Sequence, residues 1–144
     1  MAKRAKKPKK VVIPEGYIPT DKEDFMNPVM KEYFKLKLLA WRADIDRQTK
    51  DTVEKLQGEK VSHPDPADTA VATADYQLEL RTRDRLRKLG KKIDQALARI
   101  ADDTFGYCEE TGDPIRAKRL DARPIATMSI EAQEMHERGE RTRA

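Results

Sequence analysis

The stretch FKLKLLAWRADIDRQTKDTVEKL, residues 34–56, decides the fold. Within it Phe34, Leu38, Trp41, Ile45, Gln48, Thr52 and Leu56 follow spacings of 4, 3, 4, 3, 4 and 4. Residues so spaced fall on one side of an α-helix, and a repeat close to seven marks the seam between two packed helices. No Gly or Pro interrupts Val29 to Gln57. Asn27-Pro28 stands just ahead. Asn caps helices well, and Pro is favoured at the first helical position. Gly58 follows the last seam residue, where helices often end. The reading is one helix on the order of 45 Å long.

Working outward, a short connector runs from Glu59 to Pro64, and Asp65-Pro66 is a second cap-plus-proline start. The second helix is expected from about Pro66 to Ala101. Its seam reads Val71, Ala74, Leu78, Thr82, Arg85, Leu89, Ile93, Ala96 and Ile100, with Leu86 and Leu97 flanking. Two long seams joined by a short connector predict an antiparallel hairpin. The seam is weakest near the connector and strongest at the far end. One end is therefore expected to be anchored and the other to project as a slender tip.

Upstream, Pro14, Gly16 and Pro19 mark residues 11–26 as an extended leader, expected to pack loosely on the body. Downstream, Phe105, Tyr107, Ile115, Leu120 and Ile125 are interspersed with Gly106, Gly112, Pro114 and Pro124, which predicts a knot of turns. Ser129 should cap a last helix running to about Arg138, with Gly139 ending it. The fold class is mainly all-α. The expected parts are a basic disordered arm and leader over residues 1–27, a coiled-coil hairpin over 28–101 with its tip near 59–70, and a small globular region with a terminal helix over 102–144.

Composition limits the function. Charged residues make up 39% of the chain, against ~25% for a typical soluble domain. No apolar run approaches the ~20 residues of a membrane span. The basic start leads into no apolar stretch, so it is not expected to be a secretory signal. The single cysteine excludes an intrachain disulfide and fits a reducing cytosol. The net charge is +4, and residues 1–10 alone carry +6, which leaves −2 for the remainder. A slightly acidic body argues against duplex DNA binding by counterion release. The chain has two histidines, His63 and His136, and no Gly-rich phosphate loop or nucleophile elbow. It is not expected to be an enzyme.

Four features carry chemistry. At the tip, Asp65 and Asp68 are explained by capping and by the helix dipole, but Asp68 is also a carboxylate at the end of a rod. Between Arg81 and Lys92 the only acid is Asp84. Such a run is usually a solvated face, yet an anionic partner would relieve its repulsion. Gly90, inside this run, weakens a helix by ~1 kcal/mol and leaves room for another segment. The third feature is Phe105-Gly106-Tyr107-Cys108-Glu109-Glu110-Thr111-Gly112, which has the form of a CxxC zinc knuckle with Thr111 in the second cysteine's place. The fourth is Lys118 to Pro124, where Arg123 offers a fork to a carboxylate or a phosphate.

Together, DPADTA at 65–70, LELRTRDRLRKLGKKI at 78–93, FGYC at 105–108 and RLDARP at 119–124 resemble the DksA/TraR family of RNA polymerase secondary-channel regulators. The resemblance covers roughly residues 28 to 132. It implies a rod that enters the polymerase secondary channel, with Asp65, Asp68 and Ala70 as the active tip. Arg85 matches a cation that meets the channel rim. Leu89, Lys92 and Arg123 match positions that bind (p)ppGpp between factor and polymerase. The implied outcome is altered promoter-complex lifetime, with ribosomal RNA promoters inhibited and some biosynthetic promoters activated, by a cytoplasmic monomer without sequence-specific DNA binding.

Two departures from the family stand out. Thr111, Ser129 and Ala132 replace three of the four finger cysteines, so only Cys108 remains and no bound zinc is expected. Gln133 stands where a Lys helps hold the alarmone. The competing readings are a secondary-channel factor of the transcript-cleavage or anti-cleavage type, and a nucleic-acid-binding coiled coil.

Overall fold

The computed structural model describes residues 10–58 and 66–143. The expected connector and Asp65 lie outside the described residues. Among the described residues four helices appear in order: α1 at Pro28–Gly58, α2 at Pro66–Ala101, α3 at Ala117–Ala122 and α4 at Ile130–Arg143. The only sheet-like pairing among the described residues is an isolated bridge between Tyr107 and Pro114. The described residues up to Leu36 and from Thr104 onward form one compact unit, and Lys37–Asp103 forms the other.

Local signals set the helix ends. The Asn27 side chain accepts a hydrogen bond from the Met30 backbone N–H at 2.9 Å, so Asn27 caps α1 as its sequence predicts. Ser129 does the same for α4, its hydroxyl oxygen accepting from Ala132 N–H at 3.2 Å. Gly139, however, does not end α4, which runs on to Arg143. Gly139 is not among the glycines with positive φ. A glycine stops a helix by turning left-handed, and in a run of good helix formers such as Glu140 and Arg141 it can simply continue.

The unit from Lys37 to Asp103 is an antiparallel helix pair. Arg42 pairs with Asp94 at 3.1 Å, and Lys55 approaches Glu79 at 4.0 Å. Moving up α1 therefore moves down α2. Leu38, Ile45, Leu86, Ile93 and Ala96 are the buried apolar residues between them. Each large one contributes roughly 1.5–3 kcal/mol through burial. Thr52 is buried too, but its hydroxyl donates to the Gln48 carbonyl at 2.9 Å and is satisfied inside the helix.

The α2 seam differs from its sequence expectation in the N-terminal half. Val71 is 62% exposed and Leu78 61%, while Ala74 and Arg85 are also exposed. Leu86, not Arg85, is enclosed. For Val71 and Ala74 the ion pairs give the reason: Gly58 ends α1 about level with Tyr76, whereas Leu78 and Arg85 lie alongside α1 but on the exposed side of the pair. Beyond that point α2 runs for ten residues, roughly 15 Å, without α1 beside it. A heptad count carried through this stretch finds a seam where no described helix completes one.

The other unit is built on aromatic packing. Phe34 is fully enclosed, with its ring 5.5 Å from that of Phe105. Met30, Ile115, Ala117, Leu120 and Ile125 complete the core. The knot of turns holds one short helix, α3, within it. Gly106 has φ +88°, and a Cβ there would stand 2.8 Å from the Phe25 ring and 2.9 Å from the Met26 methyl. Only glycine fits that turn. The leader is held more closely than its sequence suggests. Pro19 and Met26 are buried, Tyr17 donates its hydroxyl to Glu23 at 2.5 Å, and the rings of Tyr17 and Tyr33 meet edge to face at 5.7 Å.

Candidate functional site

The candidate residues fall on three surfaces. The first is the start of α2. Asp68 lies in its first turn, exposed, and makes no hydrogen bond or ion pair with any described residue. The dipole of α2 favours a carboxylate there, so the charge is held at little cost. Ala70 is exposed beside it. Asp65 lies outside the described residues.

The second surface is the middle of α2. At 3.6 residues per turn, Arg81, Arg85, Lys88 and Lys92 share a stripe about 60° wide. All four are exposed, and none has an ion pair or hydrogen bond with a described side chain. Leu89, half-buried, borders this stripe on the side facing α1. Arg83, Arg87 and Lys91 form a second row on the far side. Like charges four residues apart on a helix repel by a few tenths of a kcal/mol per pair. Asp84 alone opposes seven cations from Arg81 to Lys92. The helix bears this repulsion, and a partner with acidic groups would relieve it. Arg85, Leu89 and Lys92 are thus brought together within two turns. Asp68 lies on the same helix, about 26 Å away from Arg85 along its axis.

Gly90 is explained by a contact that the sequence does not reveal. A Cβ there would collide with the Arg42 guanidinium, which lies across the helix on its way to Asp94. Arg42 also reaches Asp46 at 3.2 Å.

The third surface lies in the other unit. Arg123 is the C-cap of α3, and its N–H donates to the Arg119 carbonyl at 2.8 Å. Its own carbonyl accepts from Ala126 at 3.0 Å, and Pro124 behind it is buried. The backbone is fixed, while the guanidinium is exposed and has no described partner. Two contacts from far along the chain hold α3. Asp21 accepts from Ala117 N–H at 2.8 Å, and Tyr33 donates to Asp121 at 2.6 Å. Neither contact is visible in the sequence, because nothing local links positions 96 and 88 residues apart.

Around Cys108 the chain closes on itself. Cys108 N–H donates to the Asp113 carbonyl at 2.8 Å, and Gly112 N–H donates to the Cys108 carbonyl at 2.9 Å. The thiol is buried. Burial disfavours its ionised form, but the Thr111 hydroxyl and the N–H groups of Ser129, Thr111 and Glu110 donate to the sulfur. Together they bring its pKa down to about 6.

Residues 30–100 match the model of the DnaK suppressor protein DksA N-terminal domain, and residues 103–138 match the prokaryotic dksA/traR C4-type zinc finger. The chain belongs to the DksA/TraR family. It is 59% identical over 125 residues to the RNA polymerase-binding transcription factor DksA of Caulobacter vibrioides strain NA1000, covering 87% of this chain and 88% of that one. The Escherichia coli K12 protein of the same name is 40% identical over 123 residues, covering 85% and 82%. Among solved structures, transcription factor DksA2 from Pseudomonas aeruginosa aligns with a TM-score of 0.77 at 36% identity, covering 83% of this chain and 94% of that one.

The family finger implies zinc, and the residues here do not fit it. Of the four ligand positions, only Cys108 supplies a sulfur. Thr111 accepts from Asp113 N–H at 3.3 Å, Ser129 is occupied as a helix cap, and Ala132 has no donor atom. A structural zinc takes four Cys or His ligands. In this DksA/TraR chain the Thr111 hydroxyl and the Ser129 N–H instead meet the sulfur directly, so hydrogen bonds hold the finger positions together. No helix among the described residues is long and apolar enough to cross a membrane.

Proposed function

We propose that this chain is a cytoplasmic, monomeric transcription factor that binds RNA polymerase through the secondary channel. The observation that carries the reading is the uncompensated cation stripe Arg81, Arg85, Lys88 and Lys92, on the same helix that carries an exposed Asp68 at its start. The relatives named RNA polymerase-binding transcription factors support it. In this reading Asp65, Asp68 and Ala70 reach toward the polymerase active centre, and Arg85 meets the channel rim. Leu89, Lys92 and Arg123 hold (p)ppGpp at the shared interface, where several cations suit a polyphosphate. The factor acts by binding and not by catalysis. It changes the lifetime of promoter complexes, inhibiting ribosomal RNA promoters and activating some biosynthetic ones.

The test is transcription from a ribosomal promoter with purified polymerase, comparing the wild type with Asp68→Asn, each with and without (p)ppGpp. The reading holds if the wild type inhibits, (p)ppGpp deepens the effect, and the variant binds polymerase without inhibiting. A wild type that binds polymerase and leaves output unchanged refutes the regulatory role.

A further inference from the structure

Helix α3 has only six residues, too few to be stable alone. Its N-cap, Arg116, provides no side-chain cap. The missing acceptor comes from the leader: Asp21 Oδ1 takes the Ala117 N–H at 2.8 Å. Toward the other end, Tyr33 in α1 donates to Asp121 Oδ1 at 2.6 Å. That bond to a carboxylate, with burial adding to it, pushes the Tyr33 hydroxyl up to about 12. Arg119 Nε donates to the Met128 carbonyl at 3.0 Å, and Leu120 is fully enclosed below. Arg123 leaves this helix at its C-cap with an exposed guanidinium. The backbone from which Arg123 projects is thus held in part by two residues from outside the finger region.

We propose that Asp21 and Tyr33 are positioning residues for Arg123, so that the leader and the start of α1 govern affinity for the polyphosphate nucleotide without touching it. The inference rests on the reading that Arg123 binds that nucleotide. A guanidinium fork repays accurate placement, since two parallel hydrogen bonds to one phosphate require it. A loose α3 spends part of the binding energy on ordering.

The experiment measures guanosine tetraphosphate binding to the complex of polymerase with the full chain. Asp21→Ala and Tyr33→Phe should each raise the half-saturating concentration about threefold or more, comparable to the loss of one helix cap. Asp21→Asn, which keeps an oxygen acceptor, should restore most of it. Affinity for polymerase without nucleotide should stay unchanged in these variants. On an Arg123→Ala background, Asp21→Ala should add nothing, because the two act through one group. An equal further loss on that background overturns the proposal, since the contact then serves the fold at large. Normal nucleotide binding by Asp21→Ala and Tyr33→Phe overturns it as well, provided that Arg123→Ala binds weakly. Normal binding by Arg123→Ala removes the underlying reading itself, and the proposal falls with it.

Discussion

The Arg42 guanidinium occupies the space where a Cβ on Gly90 would stand. Glycine in mid-helix weakens α2 by about 1 kcal/mol relative to alanine. In return Arg42 crosses to Asp94, and its side chain stays two-thirds buried at 33% exposure. Gly90→Ala must push the guanidinium aside. The tip of an arginine moves readily, so the loss should be the ion pair and its packing, about 1 kcal/mol or less.

The two effects nearly cancel in the wild type, and a double-mutant cycle separates them. Gly90→Ala alone should change stability by less than about 1 kcal/mol. On an Arg42→Ala background the same change should stabilise by about 1 kcal/mol, because only helix propensity remains. Urea denaturation of the four proteins measures this. Equal effects in both backgrounds would mean that Arg42 does not explain the glycine.

Cys108 predicts a pH dependence. Its folded pKa is about 6, below the ~8.5 of an unfolded thiol. An acid whose pKa is lowered by folding stabilises the fold above its unfolded pKa, and loses that contribution as pH falls through the folded value. The wild-type Tm should therefore fall between pH 8.5 and pH 6 relative to Cys108→Ala, with the two curves parallel below that window. Thiolate absorbance of the folded protein should titrate around pH 6. A Tm difference independent of pH would show that the sulfur acts only by packing.

These two cases show what can be read from sequence alone. Asn27, Pro28, Pro66 and Ser129 act on their own neighbours, so three helix starts were legible. The packed stretch of the helix pair was legible because Leu38, Ile45 and Ile93 repeat with its period. The phase of α2 near its start was not, since a seam needs a partner and α1 ends about level with Tyr76. Gly90 was recognisable as an anomaly, but its cause lies on another helix. The alarmone residues could be placed only by resemblance, and the bonds that orient α3 span 96 and 88 positions.

The finger should be indifferent to chelators. With one sulfur among the four positions, no metal is needed to close it, and hydrogen bonds to Cys108 take over. Incubation with a strong chelator should leave Tm unchanged, and elemental analysis should find far less than one zinc per chain. A Tm drop of several degrees, reversed by zinc alone, would contradict this, because metal that binds only the folded state adds to its stability.

The cation rows of α2 predict that stability and binding part company. Arg87 has Arg83 and Lys91 four residues to either side, and no acid at that spacing. Asp84 stands three residues before it, so Arg87→Gln relieves two repulsions, loses one attraction and should stabilise the fold by only a few tenths of a kcal/mol. Arg85 has two cationic neighbours three or four residues away, Arg81 and Lys88, and no acid, so Arg85→Gln should gain about 0.5 kcal/mol. The two changes should then diverge. Arg85 lies on the stripe with Lys88 and Lys92, next to Leu89, whereas Arg87 lies in the row on the far side. Arg85→Gln should weaken polymerase binding severalfold and flatten its dependence on salt, because one screened charge pair is lost. Arg87→Gln should bind as the wild type does. Thermal melts together with polymerase titrations at two salt concentrations read both quantities. Equal weakening by the two changes would mean that α2 attracts polymerase through its total charge, and the stripe would then have no special place in recognition.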